Sequence, residues 1–130
     1  MHIHSAMNVM ITASSFKYNS ASDVGGIYIQ YATHFFMLHS QLLRNEAYKS
    51  AGGIKVHQLH TIFIVNNSIF VQNMAKGNGG GMYIDKVSLV SIRNCLLKNN
   101  IAYKGGGIYL SLLVYSKTLN SQMMRSKALF

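Results

Sequence analysis

Residues able to do acid–base chemistry are scarce in this chain: Asp23, Glu46 and Asp85 are its only carboxylates. Cleaving a glycosidic bond generally takes a carboxylate pair roughly 5–9.5 Å apart, one to protonate the leaving group and one to act as base or nucleophile. Asp23 precedes a glycine cluster, Glu46 follows an asparagine and Asp85 ends a short apolar alternation. Three unlike contexts give no expected pair, so the chain is read as non-enzymatic, with no catalytic residues. Of the six histidines, only His2-x-His4 and His57-x-x-His60 are close together. Zinc wants four convergent N, S or O ligands, and the one cysteine, Cys95, lies elsewhere in the pattern. Exposed histidines on loops and outer strand faces are expected instead, with no metal and no cofactor. A single cysteine also excludes an internal disulfide.

Other side chains suit contact better than catalysis. Tyr28, Lys55, Tyr83 and Tyr109 each stand two residues after a glycine pair. On successive strands they would form an outer row at a spacing of about 4.8 Å, with rings to stack on sugars and a lysine to hold an anion. The same row also reads as a stabilising cross-strand ladder. Lys49, Lys76 and Lys104 precede successive glycine clusters, while Lys17, Arg44 and Lys98 flank apolar anchors; together they are a candidate basic edge for acidic polysaccharide or phospholipid head groups. The net charge of +9 favours anionic partners over long range. Nucleic acid is not expected, since no base-reading module accompanies the charge.

Positioning such rows requires a repeat, and the sequence has one. Asn67 to Ile84 (NSIFVQNMAKGNGGGMYI) recurs as Asn94 to Leu110, Ser40 to Val56 and Ser14 to Ile29, each with an apolar anchor, an Asn, an Ala, a glycine pair and a short apolar strand. The asparagines Asn19, Asn45, Asn73 and Asn99 are 26, 28 and 26 apart, and the last glycines Gly26, Gly53, Gly81 and Gly107 are 27, 28 and 26 apart. A fixed period in this range marks a solenoid, whose units bury their apolar faces only against neighbours.

Period-2 alternation makes the segments strands. Ile27 and Ile29, Ile54 and Val56, Met82 and Ile84, Ile108 and Leu110 should point inward after each glycine pair. A second strand is expected around Val9 and Ile11, Phe35 and Met37, Phe63 and Val65, Leu89 and Ser91, and a third ending in the anchors Phe16, Leu42, Phe70 and Leu96. Three strands and three corners fill a coil of 26–28 residues. Glycines are expected at the corners because they tolerate φ > 0. Asn also tolerates the left-handed region, and its amide can bond to the Asn above and below, so Asn19, Asn45, Asn73 and Asn99 are expected to form an internal ladder. Ala21, Ala47, Ala75 and Ala102 fit a close corner, and Ser14, Ser40, Ser68 and Asn94 a second small polar column. A leucine-rich repeat shares the period, but glycine clusters interrupt every candidate helix.

The pattern FxxN, Ala and GG(G)-apolar-Tyr, as in Phe70 to Asn73, Ala75 and Gly79 to Tyr83, resembles the right-handed parallel β-helix proteins of the pectin-lyase-like superfamily. Within it, the FxxN/GG pairing is similar to polymorphic outer membrane proteins and adhesin-like passengers, over about Met7 to Leu110. The resemblance implies an all-β, right-handed parallel β-helix (β-solenoid) of about four coils. It implies an extracellular or cell-surface segment with a structural, adhesive or glycan-binding role. The alternative it offers is a fragment of a carbohydrate-active β-helix enzyme lacking its catalytic coils.

Residues 1–110 are thus expected to form the repeat domain, and 111–130 a degenerate final coil, cap or frayed tail with one plausible strand, Leu112 to Tyr115. A further coil would place its Asn near Arg125. The chain begins in mid-pattern and is expected to neighbour further coils of a longer protein. No apolar run approaches the roughly 18–20 residues that span a bilayer, and no signal peptide is evident. Asn66-Asn67-Ser68 has the form of a glycosylation sequon.

Overall fold

A computed structural model of the chain describes residues 1–111, 115–119, 121–124 and 126–128. Its regular elements are all strands, and the strands pair in parallel from one coil to the next, giving a β-solenoid of about four turns. Each coil passes through four segments, one more than the alternation pattern suggests.

The largest sheet has two limbs meeting at a bend. His2–His4, Ile27–Gln30, the first part of Ile54–Asn66, the first part of Met82–Arg93 and Ile108–Ser111 make one limb. Asn8–Thr12, His34–Leu38, the later parts of the two long strands and Tyr115–Leu119 make the other. A five-stranded sheet follows from Ser15–Lys17, Gln41–Leu43, Ile69–Val71, Leu96–Lys98 and Gln122–Met124. The fourth segment is a ribbon of two-residue strands, Ser20–Ala21, Glu46–Ala47, Met74–Ala75, Ile101–Ala102 and Lys127–Ala128. Ala47, Ala75 and Ala102 of this ribbon turn inward and pack as a buried column. Of the expected tail strand Leu112 to Tyr115, residues 112–114 lie outside the described residues; Tyr115 opens the strand that pairs with Leu89–Arg93.

The core is a stack of identical columns. Phe35 lies on Phe63 with ring centroids 5.1 Å apart, and Ile27, Ile54 and Met82 follow one another at full burial. Each such side chain contributes about 1.5–3 kcal/mol, and only when a neighbouring coil covers it. In the fourth coil the inward residues are Val90, Ile92 and Leu97, opposite Phe63, Val65 and Phe70. Leu89, Ser91 and Leu96, expected from a uniform step, are each one residue early. The reason is local: the register shifts between Val87 and Leu89, where the preceding coil carries one more residue around His60 and Thr61.

Corners are made by left-handed residues, and these are mostly not glycine. Ser5, Tyr31, Gln58 and Lys86 bend the large sheet (φ 54–57°); Ala13, His39, Asn67 and Asn94 make the next corner, and Tyr18, Arg44, Gln72 and Asn99 the third. One left-handed residue between extended neighbours swings the strand, at a cost of roughly 1–2 kcal/mol that repeats coil after coil. Of the corner glycines only Gly79 and Gly105 have positive φ. At Gly25, Gly26, Gly52, Gly53, Gly80, Gly81 and Gly106 a Cβ would run into the backbone of the next coil.

Candidate functional site

The polar interior comes first, because it holds the coils in register. Asn19 Nδ2 donates to Asn45 Oδ1 (2.9 Å), Asn45 Nδ2 to Asn73 Oδ1 (3.0 Å), and Asn73 Nδ2 to the Oδ1 of Asn100 (3.1 Å). The fourth rung is therefore Asn100, not Asn99. Two jobs assigned to one asparagine are split between neighbours: Asn99 takes the left-handed corner (φ 55°), and Asn100 turns inward at 0% exposure. Asn45 and Asn73 precede the buried Ala47 and Ala75 by two residues, a spacing that Asn100 keeps with Ala102 and Asn99 breaks. Ser126 accepts from the Asn100 backbone N–H at 3.4 Å, so a hydroxyl stands where the next amide was expected; Arg125 lies outside the described residues.

The second polar column also shifts by one. Ser14 N–H donates to Ser40 Oγ, and Ser40 N–H to Ser68 Oγ. Cys95 then replaces serine, its thiol donating to the Arg93 carbonyl (3.1 Å) as Ser68 Oγ does to Asn66 (2.9 Å). Asn94 is instead an exposed left-handed corner residue. Burial pushes the Cys95 thiol up, more than backbone contacts with Ser68 and Arg93 pull it back. The folded chain is expected to resist a thiol-labelling reagent at neutral pH and to react on denaturation, while Cys95→Ser changes stability by less than about 1 kcal/mol. Rapid labelling of the native protein contradicts a structural thiol. Ser68, the third residue of the sequon, is 1% exposed and belongs to this column.

On the outer face of the large sheet, Tyr28, Lys55, Tyr83 and Tyr109 stand in register, joined by His2 at the start of the row. His2 stacks on Tyr28 at 4.6 Å, and Tyr83 on Tyr109 at 5.2 Å and 4°. Lys55 Nζ lies between the rings, 4.9 Å from Tyr28 and 5.6 Å from Tyr83. The ring faces of Tyr28 and Tyr83 are thus occupied by the row itself, which leaves edges and hydroxyls rather than a platform for sugar. Nor is Lys55 available to an external anion: it pairs with Asp23 Oδ2 (3.2 Å), donates to Ser50 Oγ (3.0 Å), and its side chain is only 14% exposed. Burial raises the Asp23 carboxyl, but Ser50, Lys55 and Lys49 outweigh it and hold the group below its ordinary value.

Beside that row runs a second one, His4, Gln30, His57, Asp85 and Ser111. His57 Nδ1 and Asp85 Oδ2 are 2.8 Å apart, a pair not foreseen from sequence although both residues stand four positions after the last glycine of their coils. Nucleophilic catalysis of the serine type needs imidazole between hydroxyl and carboxylate. Here the carboxylate separates His57 from Ser111, so the row holds an imidazole–carboxylate contact and not a triad. Among the described residues no three His, Cys, Asp or Glu side chains converge on a metal position.

The six expected basic residues divide between two lines. Lys17 and Lys98 occupy one strand register with Leu43 and Val71 between them, and Arg44 at the following corner donates to Gln72 Oε1 (2.7 Å) and Tyr18 Oη (3.2 Å). Lys49, Lys76 and Lys104 sit across the two-residue ribbon, on the turn that leads to the glycines. Tyr48, Lys76 and Tyr103 each follow a buried Ala of the column, and Lys49 and Lys104 come next. Lys76 Nζ lies 3.7 Å from the Tyr48 ring centre, and Tyr48 and Tyr103 are 63% and 44% exposed. The lysine spacing alone does not reveal this aromatic–basic turn; its signal in the sequence is tyrosine directly after the buried Ala, three residues beyond the ladder Asn, at Tyr48 and Tyr103.

With parallel coils, an internal amide ladder and tight glycine bends in place, the family can be decided. A family model described as right handed beta helix region matches residues 1–121. The chain belongs to this family. A comparison with curated proteins finds no match. As a right-handed β-helix it buries its repeated amides and hydroxyls, Asn45, Asn73, Asn100, Ser40 and Ser68. No helix among the described residues is long and apolar enough to cross a membrane.

Proposed function

We propose that this right-handed β-helix is a non-enzymatic segment of an extracellular or cell-surface protein, a scaffold that presents a basic face to acidic glycan. The observation that carries the reading is the turn in which Tyr48-Lys49, Lys76 and Tyr103-Lys104 fall on three successive coils. Successive coils lie about 4.8 Å apart, so charges and rings recur along the axis as a polymer's groups do. Of the acids, Asp85 contacts His57, Asp23 is engaged by Lys55 and Ser50 while also feeling the charge of Lys49, and Glu46 lies on the neighbouring two-residue ribbon. The dispersal of Asp23, Glu46 and Asp85 over separate surfaces supports a role in contact rather than cleavage.

Binding to polygalacturonate, followed by affinity electrophoresis at several salt concentrations, tests it. Replacing Lys49, Lys76 and Lys104 together by Gln is expected to weaken binding about tenfold or more and to flatten its salt dependence. Unchanged binding by that variant removes the basic turn from the reading, and degradation of the polymer by the intact chain removes the non-enzymatic role.

A further inference from the structure

Between the third corner and the aromatic–basic turn the surface dips into a groove of about 470 Å³, lined by Gln72, Met74, Asn99, Ile101 and Lys127 over the buried ladder residue Asn73. We propose that this groove is a subsite for one hexuronate ring of an acidic polysaccharide; the assignment rests on the reading above and adds where and how the sugar is recognised. The groove's volume falls in the range of about 300–1,000 Å³ found for small-molecule sites. Its chemistry is sorted by column. Gln72 and Asn99 hold successive positions of the left-handed corner (φ 56° and 55°), which carries two amides along one wall. The Gln72 amide is oriented by Arg44, whose Nε donates to Oε1 at 2.7 Å.

Met74 and Ile101, directly opposite each other in register, form the floor and stay 37% and 38% exposed. A pyranose has an apolar C–H face and a rim of hydroxyls, and amides beside an apolar floor match both. Lys127, in the same column as Met74 and Ile101, supplies the positive charge for a carboxylate. The one acid of that column, Glu46, sits opposite Met74 on the side away from Lys127. A neutral sugar would leave Lys127 unanswered, and a featureless polyanion would not use the floor.

Trigalacturonate and dextran sulfate, each titrated calorimetrically against the full chain, separate the two levels of the proposal. The double variant Met74→Ala, Ile101→Ala, with its fold checked by circular dichroism, is expected to lose about fivefold or more in affinity for trigalacturonate. Its affinity for dextran sulfate should be unchanged. Lys127→Gln should weaken trigalacturonate and leave a neutral galactose trimer unaffected. If the floor variant binds trigalacturonate as the parent does, or loses both ligands equally, the groove is not the subsite while the basic face stands. If the parent binds neither anion, the basic face falls with it.

Discussion

Asn73→Leu is expected to lower the free energy of unfolding by about 4 kcal/mol, a large share of the roughly 5–15 kcal/mol typical of a domain. Leucine keeps the branching and heavy-atom count of asparagine but is bulkier, so no cavity opens; the loss comes from the hydrogen bonds, with crowding by the methyl groups adding to it. Asn73 Oδ1 accepts from the Asn45 backbone N–H (3.1 Å) and from Asn45 Nδ2 (3.0 Å). Its Nδ2 donates to the Leu42 carbonyl (2.8 Å) and to Asn100 Oδ1 (3.1 Å). Both Asn45 and Asn73 are 0% exposed, so no water replaces what is removed. A buried group stranded in this way costs about 1–3 kcal/mol, and here several are affected together. Urea unfolding followed by far-ultraviolet circular dichroism checks it, with the neighbouring pair in the next coil as an internal control. Asn100→Leu should cost nearly as much as Asn73→Leu, whereas Asn99→Asp, which keeps a side chain tolerant of positive φ, should stay within about 0.5 kcal/mol of the parent. Equal losses at the two positions would contradict the ladder as drawn.

That pair of asparagines also marks the limit of what the sequence reveals. Period, strand type and inward columns are legible because a solenoid writes the same packing requirement into each coil: Ile27, Ile54 and Met82 recur since each must cover the next. What is not legible is a change of one residue inside a coil. The Asn steps are 26, 28 and 27, whereas the glycines close with steps of 27, 28 and 26, so no constant shift aligns both. The ladder geometry decides in favour of Asn100 because only an inward amide reaches Asn73. The αL requirement, which asparagine also meets, favours its neighbour.

The outer surface was legible in position and not in chemistry. The four residues Tyr28, Lys55, Tyr83 and Tyr109 do align. Alignment at about 4.8 Å, however, is also the distance at which rings and a lysine pack on one another, and the row satisfies itself before any ligand arrives. The Asp23–Lys55 contact bridges a glycine corner and a strand, a long-range proximity that spacing within one repeat does not encode. Basic residues on either side of the two-residue ribbon looked like one edge because this ribbon is too short to show in an alternation pattern. Once it is recognised, the lysines separate and a face with amides, an apolar strip and a charged turn takes their place.

Gly53→Ala is expected to destabilise the chain by about 3 kcal/mol or more, for a reason different from the one usually given for glycine at a bend. Gly53 is not among the residues with positive φ, so an alanine there meets no conformational barrier. Its Cβ would instead run into the Gly81 carbonyl oxygen, with Phe70 Cδ1 3.4 Å away. Neither coil is free to retreat. Gly53 N–H is bonded to Gly80 O at 3.1 Å, Ile54 N–H to Gly81 O at 3.0 Å, and Gly53 O accepts from Ile27 N–H at 2.9 Å. Relieving the overlap therefore means lengthening bonds on one or both sides of the coil, and the strain passes along the stack. Lys86→Gly supplies the opposite case: Lys86 is exposed with φ 54°, a conformation that glycine adopts without penalty, so this variant should unfold within about 1 kcal/mol of the parent despite losing a side chain. Measured together by thermal and urea unfolding, the two variants separate conformational need from closeness of approach. Near-parental stability for Gly53→Ala would mean that the coils yield at this close contact, and a loss at Lys86→Gly matching that at Gly53→Ala would return the explanation to backbone freedom.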